Sequence, residues 1–390
     1  MSGVVDPTKP TYGSALRTLV TVTFVVLACV TVWALAGGHS WEGDYGDLSG
    51  LARWVLAAFS EPQFYAVGSA GALLLAGGLV GHIAHRRGWY LQGFVQACGT
   101  GIWPSVAGSA LLSVVLGALV WGGTLAGGTW QPLFVPLASV APAVVALYGP
   151  GRRVFVTGAV SGALLAPPAA IGLVRWVCQP LDLPPVVGAT GGMALAATVT
   201  FLICPQLRWM PEPWAWRSEA PAAPASGRRA AQQGPVWVLR RALADLSEAQ
   251  FFGNEWASAA LIVGALLAYA TSPQSLAYGS GLFVTILVGQ FMSTLTGVFV
   301  WRHRWLAAGF YPTFVPAASL VPATVLTYDG ALLPTLVAAL AGALIAPPTA
   351  AAISGRLPVG FHPFVGNVAA MSICTALIVP QLSVLPGVKQ

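Results

Sequence analysis

The chain has 390 residues, of which 56% are hydrophobic and only 8% charged, and its mean hydropathy is +0.74. A soluble domain carries roughly a quarter charged residues to solvate its surface, so the composition excludes an ordinary water-soluble fold and points to lipid. The net charge of +6 is not a nucleic-acid footprint, because the basic residues sit at the ends of apolar stretches, where topology signals belong.

The first apolar stretch, residues 18–36, follows Lys9 and Arg17 and reads as an uncleaved helix, although Ala34-Leu-Ala36 also fits a signal-cleavage site. An acidic loop with Glu42, Asp44 and Asp47 comes next, so residues 1–50 form a leading helix and an outer loop. A unit at 51–208 follows, with crossings expected at 64–85, 104–122, 133–148, 154–176 and 186–207. Residues 209–240 are rich in Pro, Ala and Arg and read as a cytoplasmic linker. The stretch 241–390 repeats the pattern, with crossings at 254–271, 282–301, 310–328, 332–353 and 364–385. Residues 90–103 and 270–281 are short Gly-containing pieces that read as re-entrant, with a full crossing as the alternative. The expected fold is therefore an all-α polytopic membrane protein of about 11 helices.

The repetition is explicit. Phe134-Val-Pro-Leu-Ala-Ser139 returns as Phe314-Val-Pro-Ala-Ala-Ser319, and Gly162-Ala-Leu-Leu-Ala-Pro-Pro168 as Gly342-Ala-Leu-Ile-Ala-Pro-Pro348. Trp121 matches Trp301, Pro205-Gln-Leu207 matches Pro380-Gln-Leu382, and Ser60-Glu-Pro-Gln-Phe64 matches Ser247-Glu-Ala-Gln-Phe251. An odd number of crossings inverts the second unit. With the N-terminus inside, every basic residue except Arg53, Arg175 and Lys389 falls inside. Arg152-Arg153 corresponds to uncharged Leu332-Leu333, and Trp301-Arg-His-Arg-Trp305 to uncharged residues 121–125. Opposite charge bias at matched loops points to inverted-topology repeats, a recurrent plan of secondary transporters. The N-terminus and linker are expected in the cytoplasm and the C-terminus outside. Arg outnumbers Lys heavily, as in a GC-rich bacterial genome, which makes the expected location a bacterial plasma membrane.

Candidate site residues follow from this plan. Pro167-Pro168 and Pro347-Pro348 fall mid-crossing, where lost donors should break the helix and expose carbonyls to a solute. Glu255 is the best candidate for a buried ionisable group, for charge or proton coupling. Gln290, in a polar run with Ser293, Thr294 and Thr296, and Asn367, after His362, could contact a polar solute or simply bond between helices. Glu61 and Glu248 are matched carboxylates expected as solvated caps near an interface. Gly99-Thr-Gly101 and Gly279-Ser-Gly281 suit a re-entrant turn or close packing. His82-Ile-Ala-His85 has metal-like spacing, but Arg86 and Arg87 would repel a cation. Cys29, Cys98, Cys178, Cys204 and Cys374 form no CxxC pair, so neither a disulfide framework nor a zinc site is implied. No HExxH, Walker or aspartate-rich motif is present, and no cofactor, metal or nucleic acid is expected.

Gly99-Thr-Gly-Ile-Trp-Pro104 and Phe361-His-Pro-Phe-Val-Gly-Asn-Val368 resemble a bacterial family of duplicated membrane proteins of the DUF1576 type. The resemblance implies a duplicated membrane fold and brings neither an activity nor site residues. The expected function is secondary transport of a small solute, with or without a coupling ion, at a site between the repeats. The partners are then membrane lipids and that solute. A membrane-embedded enzyme acting on a lipid or hydrophobic metabolite, which needs unequal copies, and a non-transporting membrane subunit are the alternatives.

Overall fold

The computed structural model describes residues 48–89, 93–94, 101–122, 132, 134–213 and 234–385. The expected helix at 18–36, the acidic loop, Cys29, Cys98, Gly99, most of the linker and Lys389 lie outside the described residues. Those described are helical, with no strand among them. In chain order the helices are α1 (Leu48–Ser60), α2 (Gly68–Arg86), α3 (Trp103–Trp121), α4 (Val140–Tyr148), α5 (Arg152–Leu173) and α6 (Pro185–Ile203). After the linker come α7 (Pro235–Ala244), α8 (Glu255–Thr271), α9 (Phe283–Ala308), α10 (Leu320–Thr327), α11 (Leu332–Ser354) and α12 (Phe364–Gln381).

Among the described residues seven helices are long and apolar enough to cross a bilayer: α2, α3, α5, α6, α9, α11 and α12. Their outer faces carry exposed Leu119, Leu195, Leu202, Leu340 and Leu377. Such residues suit lipid, and the chain is a helical membrane protein. The start of α7 lies inside the stretch read as linker, and Arg302 and Arg304 belong to the last turns of α9 instead of a loop. α9 stops where Gly309 takes a left-handed φ of 73° and its N–H closes on the Trp305 carbonyl, a conformation that costs glycine nothing.

Hydrogen bonds between helices fix their directions. Ser109 donates to the Phe155 carbonyl (3.0 Å), Ser113 to Ala159 (2.8 Å) and Trp121 Nε1 to Ala163 (2.9 Å). The partners advance together, so α3 and α5 run parallel. The chain between them must therefore come back across the same thickness. Pro136 packs at Gly117, and Ala141 packs at Gly158 and Gly162, which is the reverse order. The returning segment is only half helical, with turns at 134–139 leading into the nine-residue α4. In the second half Trp301 Nε1 donates to Ala343 (2.9 Å) and Thr335 sits at Gly289, so α9 and α11 are also parallel. Turns at 313–319 and the eight-residue α10 return between them.

Where a third crossing is expected in each unit, the chain runs as turns followed by a short helix that is not long enough to count among the seven spanning helices. Pro136 and Pro316 remove donors where the helix would otherwise start earlier, whereas Pro142 and Pro322 fall in first turns that need no such donor. Ser139 and Ser319 hydroxyls donate back to the Val135 and Val315 carbonyls. Gln290 Nε2 donates to the Ala317 carbonyl at 2.8 Å. Unwound backbone inside a membrane needs such partners.

The Pro-Pro pairs behave differently from expectation. Pro167-Pro168 lie within continuous α5 and Pro347-Pro348 within continuous α11. A proline frees the carbonyl four residues before it. For Pro167 that carbonyl is Ala163, and for Pro347 it is Ala343. These are the two carbonyls that take the indole N–H groups of Trp121 and Trp301. A neighbouring helix thus supplies one of the two donors that each pair removes, and the helix continues.

α2 and α8 pack antiparallel through small residues. An added Cβ at Gly77 would lie 2.8 Å from the Ala257 Cα, and one at Gly264 would lie 2.7 Å from the Ala70 Cα. α6 and α12 are antiparallel as well: Phe201 packs on Phe361 (5.8 Å between centroids) while Ser372 donates to the Val187 carbonyl (2.9 Å). With every direction assigned, Arg86, Arg87, Arg152, Arg153, Arg208, Arg240, Arg302, Arg304 and Arg356 gather at one end. Arg175, Asp182 and Asp329 lie at the other. Trp103 at the start of α3 stacks on His82 near the end of α2 (6.0 Å), so α2 ends where α3 begins, and most of the piece expected at 90–103 lies outside the described residues. Residues 273–279 are short turns whose Ala277 N–H reaches the Tyr65 carbonyl (3.1 Å). They dip into the protein without crossing it.

Candidate functional site: a cavity between the two units

A cavity of about 550 Å³ lies between the two halves, toward the arginine-rich end. Its wall takes Phe64 and Phe134 from the first unit and Phe251, Phe310, Phe314, Phe361 and Phe364 from the second. Its polar side chains are Thr190, Glu248, His362 and Asn367. The chain reaches this position through the Ser-Glu-x-Gln-Phe segments. Ser60 accepts from and donates to the Val67 backbone, and Ser247 does the same with Asn254. Phe64 and Phe251 each close the turn at a φ of 65°, a conformation rare for a bulky residue. The turns point both rings into the space between the units.

Glu248 is buried and paired with Arg241, whose Nη2 donates to Oε2 at 2.6 Å. The expected solvated cap is therefore a buried ion-pair member. Arg241 also donates to Asp245 Oδ1 (2.9 Å from Nη2), and its guanidinium lies over the Trp305 ring at 4.5 Å and near Phe94 at 5.0 Å. Asp245 Oδ2 accepts from Thr313 (2.6 Å), whose hydroxyl accepts from Trp305 Nε1 (3.1 Å). The network thereby ties α7 to the unwound turn before α10. The i, i+4 spacing of Arg241 and Asp245, followed by matched Glu248, was the signal available in the sequence. It was masked because Arg241 directly follows the arginine-rich linker.

Glu255 starts α8 beside its N-cap Asn254, whose Oδ1 accepts from the Trp256 and Ala257 N–H groups. It is buried, accepts from Arg240 (3.0 Å from Nε) and from the Phe94 N–H (2.8 Å), and does not line the cavity. Gln290 is wholly buried, accepting from Tyr65 O–H (2.9 Å) and donating to the Gln63 and Ala317 carbonyls. It braces the wall behind the cavity. Asn367 does line the cavity; the four prolines do not. Glu61, the counterpart of Glu248, is buried away from the cavity and accepts from Tyr278 O–H (3.3 Å). His362, in the loop between α11 and α12, accepts the Phe364 N–H through Nδ1 (3.1 Å). Burial holds its imidazole down at about 4, so it faces the cavity uncharged near neutral pH. Among the described residues no three His, Cys, Asp or Glu side chains gather as a metal site.

Chemically, the cavity offers apolar volume with a few hydrogen-bonding groups and one carboxylate, a pattern typical of small-molecule sites. Comparison of the chain with family models, with curated proteins and with solved structures gives no match.

Proposed function

We propose that the protein is a secondary transporter in which two inverted five-crossing units expose the cavity alternately to the two sides of a bacterial plasma membrane. One observation carries this reading: residues matched in sequence meet one another, or meet each other's counterparts, across antiparallel interfaces. Gln63 and Gln250 donate to each other through their side-chain amides. Tyr65 packs on Phe283 (5.1 Å) while their counterparts Phe252 and Trp103 pack together (5.5 Å). Gly77 faces Ala257 while Gly264 faces Ala70. Such reciprocity is what a pseudo-two-fold axis in the membrane plane produces, and it permits two states of similar energy.

The arginine-rich end is then cytoplasmic, and the cavity beside Glu248 is the inward-facing site. Reporter fusions within 220–230 and after Gln390 test the plan directly. A linker inside with the C-terminus outside is the expected result; both on one side overturns the inverted arrangement and with it the transport reading. A membrane-embedded enzyme draws support from one asymmetry, since Arg241 and Asp245 stand where the first unit has Trp54 and Ala58. Both carboxylates of that cluster are held by Arg241, which suits coupling or binding better than proton transfer to a substrate.

A further inference from the structure

We propose that the cavity binds an amphipathic monocation, with its apolar body among the phenylalanine rings and its positive head at Glu248. The inference deepens the reading of the cavity as the solute site and rests on it. Among the described residues, the ionisable groups of the network beside the cavity are Arg241, Asp245 and Glu248, one base against two acids. Burial pushes the Glu248 carboxyl up to about 7, so a bound cation is what would hold it ionised near neutral pH. Arg240 and Glu255 neutralise each other separately, and His362 adds no charge.

Glu248 Oε2 is taken by Arg241, whereas Oε1 has no hydrogen-bond partner among the described residues, and the side chain lines the cavity. Arg241 itself does not line it; its guanidinium is enclosed by Trp305, Phe94 and the two carboxylates. With Glu248 ionised, the wall therefore shows a ligand negative charge and none of the compensating positive charge. An excess carboxylate against an apolar surface is held at a cost that a bound cation relieves. The surrounding aromatic rings attract a cation and repel an anion through their quadrupoles. Lipid-soluble bulk with a single positive charge satisfies both features, and a compact hydrated cation would leave the phenylalanine surface unused.

Tetraphenylphosphonium and tetraphenylborate, alike in shape and opposite in charge, separate the possibilities. Saturable binding of each would be measured on the full-length protein in zwitterionic lipid nanodiscs, corrected for empty discs. The cation should bind at least about ten-fold more tightly, the scale of one charge-assisted contact. In Glu248→Gln that preference should collapse. Equal binding, preference for the borate, or no saturable binding of either in the native protein overturns the proposal, whether or not the variant folds. Retained preference in a folded Glu248→Gln protein, checked by thermal unfolding, overturns the role of Glu248. Flux of the phosphonium into proteoliposomes is a separate readout. Binding without flux keeps the cation site and removes the transport reading.

Discussion

Trp121 and Trp301 do for their neighbouring helices what a peptide N–H would have done. Replacing either by Phe removes the donor to Ala163 or Ala343 and should destabilise the protein by about 1 kcal/mol, the scale of interhelical hydrogen bonds in membranes. The informative comparison is with Pro167→Ala, which restores the α5 donor. In that background Trp121→Phe should cost much less, a coupling that thermal unfolding of the four proteins would measure; equal costs in both backgrounds would disprove the repair. Arg241 makes a different prediction. Removing it as Arg241→Met strands two buried carboxylates and should cost about 3–5 kcal/mol. A triple replacement that also makes Asp245 and Glu248 leucine should recover most of that loss in the same assay, because no charge is left unpaired.

At the scale of elements, what could be read from the sequence depended on length and composition. The long apolar helices α2, α3, α5, α6, α11 and α12 begin and end within a few residues of expectation, since twenty apolar residues leave few alternatives. α4 and α10 had the right place and the wrong form, because Phe-Val-Pro-x-Ala-Ser is as apolar as a helix and its unwinding is set by partners elsewhere, such as Gln290. The helices expected to break at Ala-Pro-Pro stay whole because each repair comes from a tryptophan over forty residues earlier, a contact that local sequence does not encode. In the site, Asn367 was legible as a polar residue at a crossing's start. The Arg241 network was not, because its residues look like linker and interface until α7 folds them inward. The α2–α8 seam makes its own demand. Gly77→Ala places a methyl 2.6 Å from the Trp256 carbonyl oxygen and 2.8 Å from the Ala257 Cα, and should cost about 1–3 kcal/mol. Gly88→Ala, with open space around it but a φ of +63°, should cost less; thermal unfolding of the two variants orders them.

For the whole molecule, the two ends that the proposed axis would exchange are in different conditions. At the arginine-rich end Glu248 borders open volume; at the other end Glu61 is held by Tyr278. Ala146 lines the cavity, and its sequence counterpart Leu326 is partly buried in the core. On the transport reading, removing the hydroxyl with Tyr278→Phe should release the end held by Glu61 and shift the population between the two proposed states. A cysteine at 326 should then react faster with a membrane-impermeant thiol reagent from the C-terminal side, while one at 146 reacts more slowly from the linker side. Unchanged rates at both positions would mean that Glu61 and Tyr278 do not latch the outer end.

The reciprocal hydrogen bonds between the side-chain amides of Gln63 and Gln250 also bear on ancestry. On the inverted-repeat reading, the simplest ancestor is a pair of identical chains lying antiparallel in one bilayer with that residue on their shared axis. Such a chain would be inserted both ways up by the same cell, which calls for a nearly even distribution of positive charge between its two faces. Fusion would then have frozen one copy in each orientation and freed their arginines to diverge. The present halves, synthesised as separate chains, should retain the capacity to find each other.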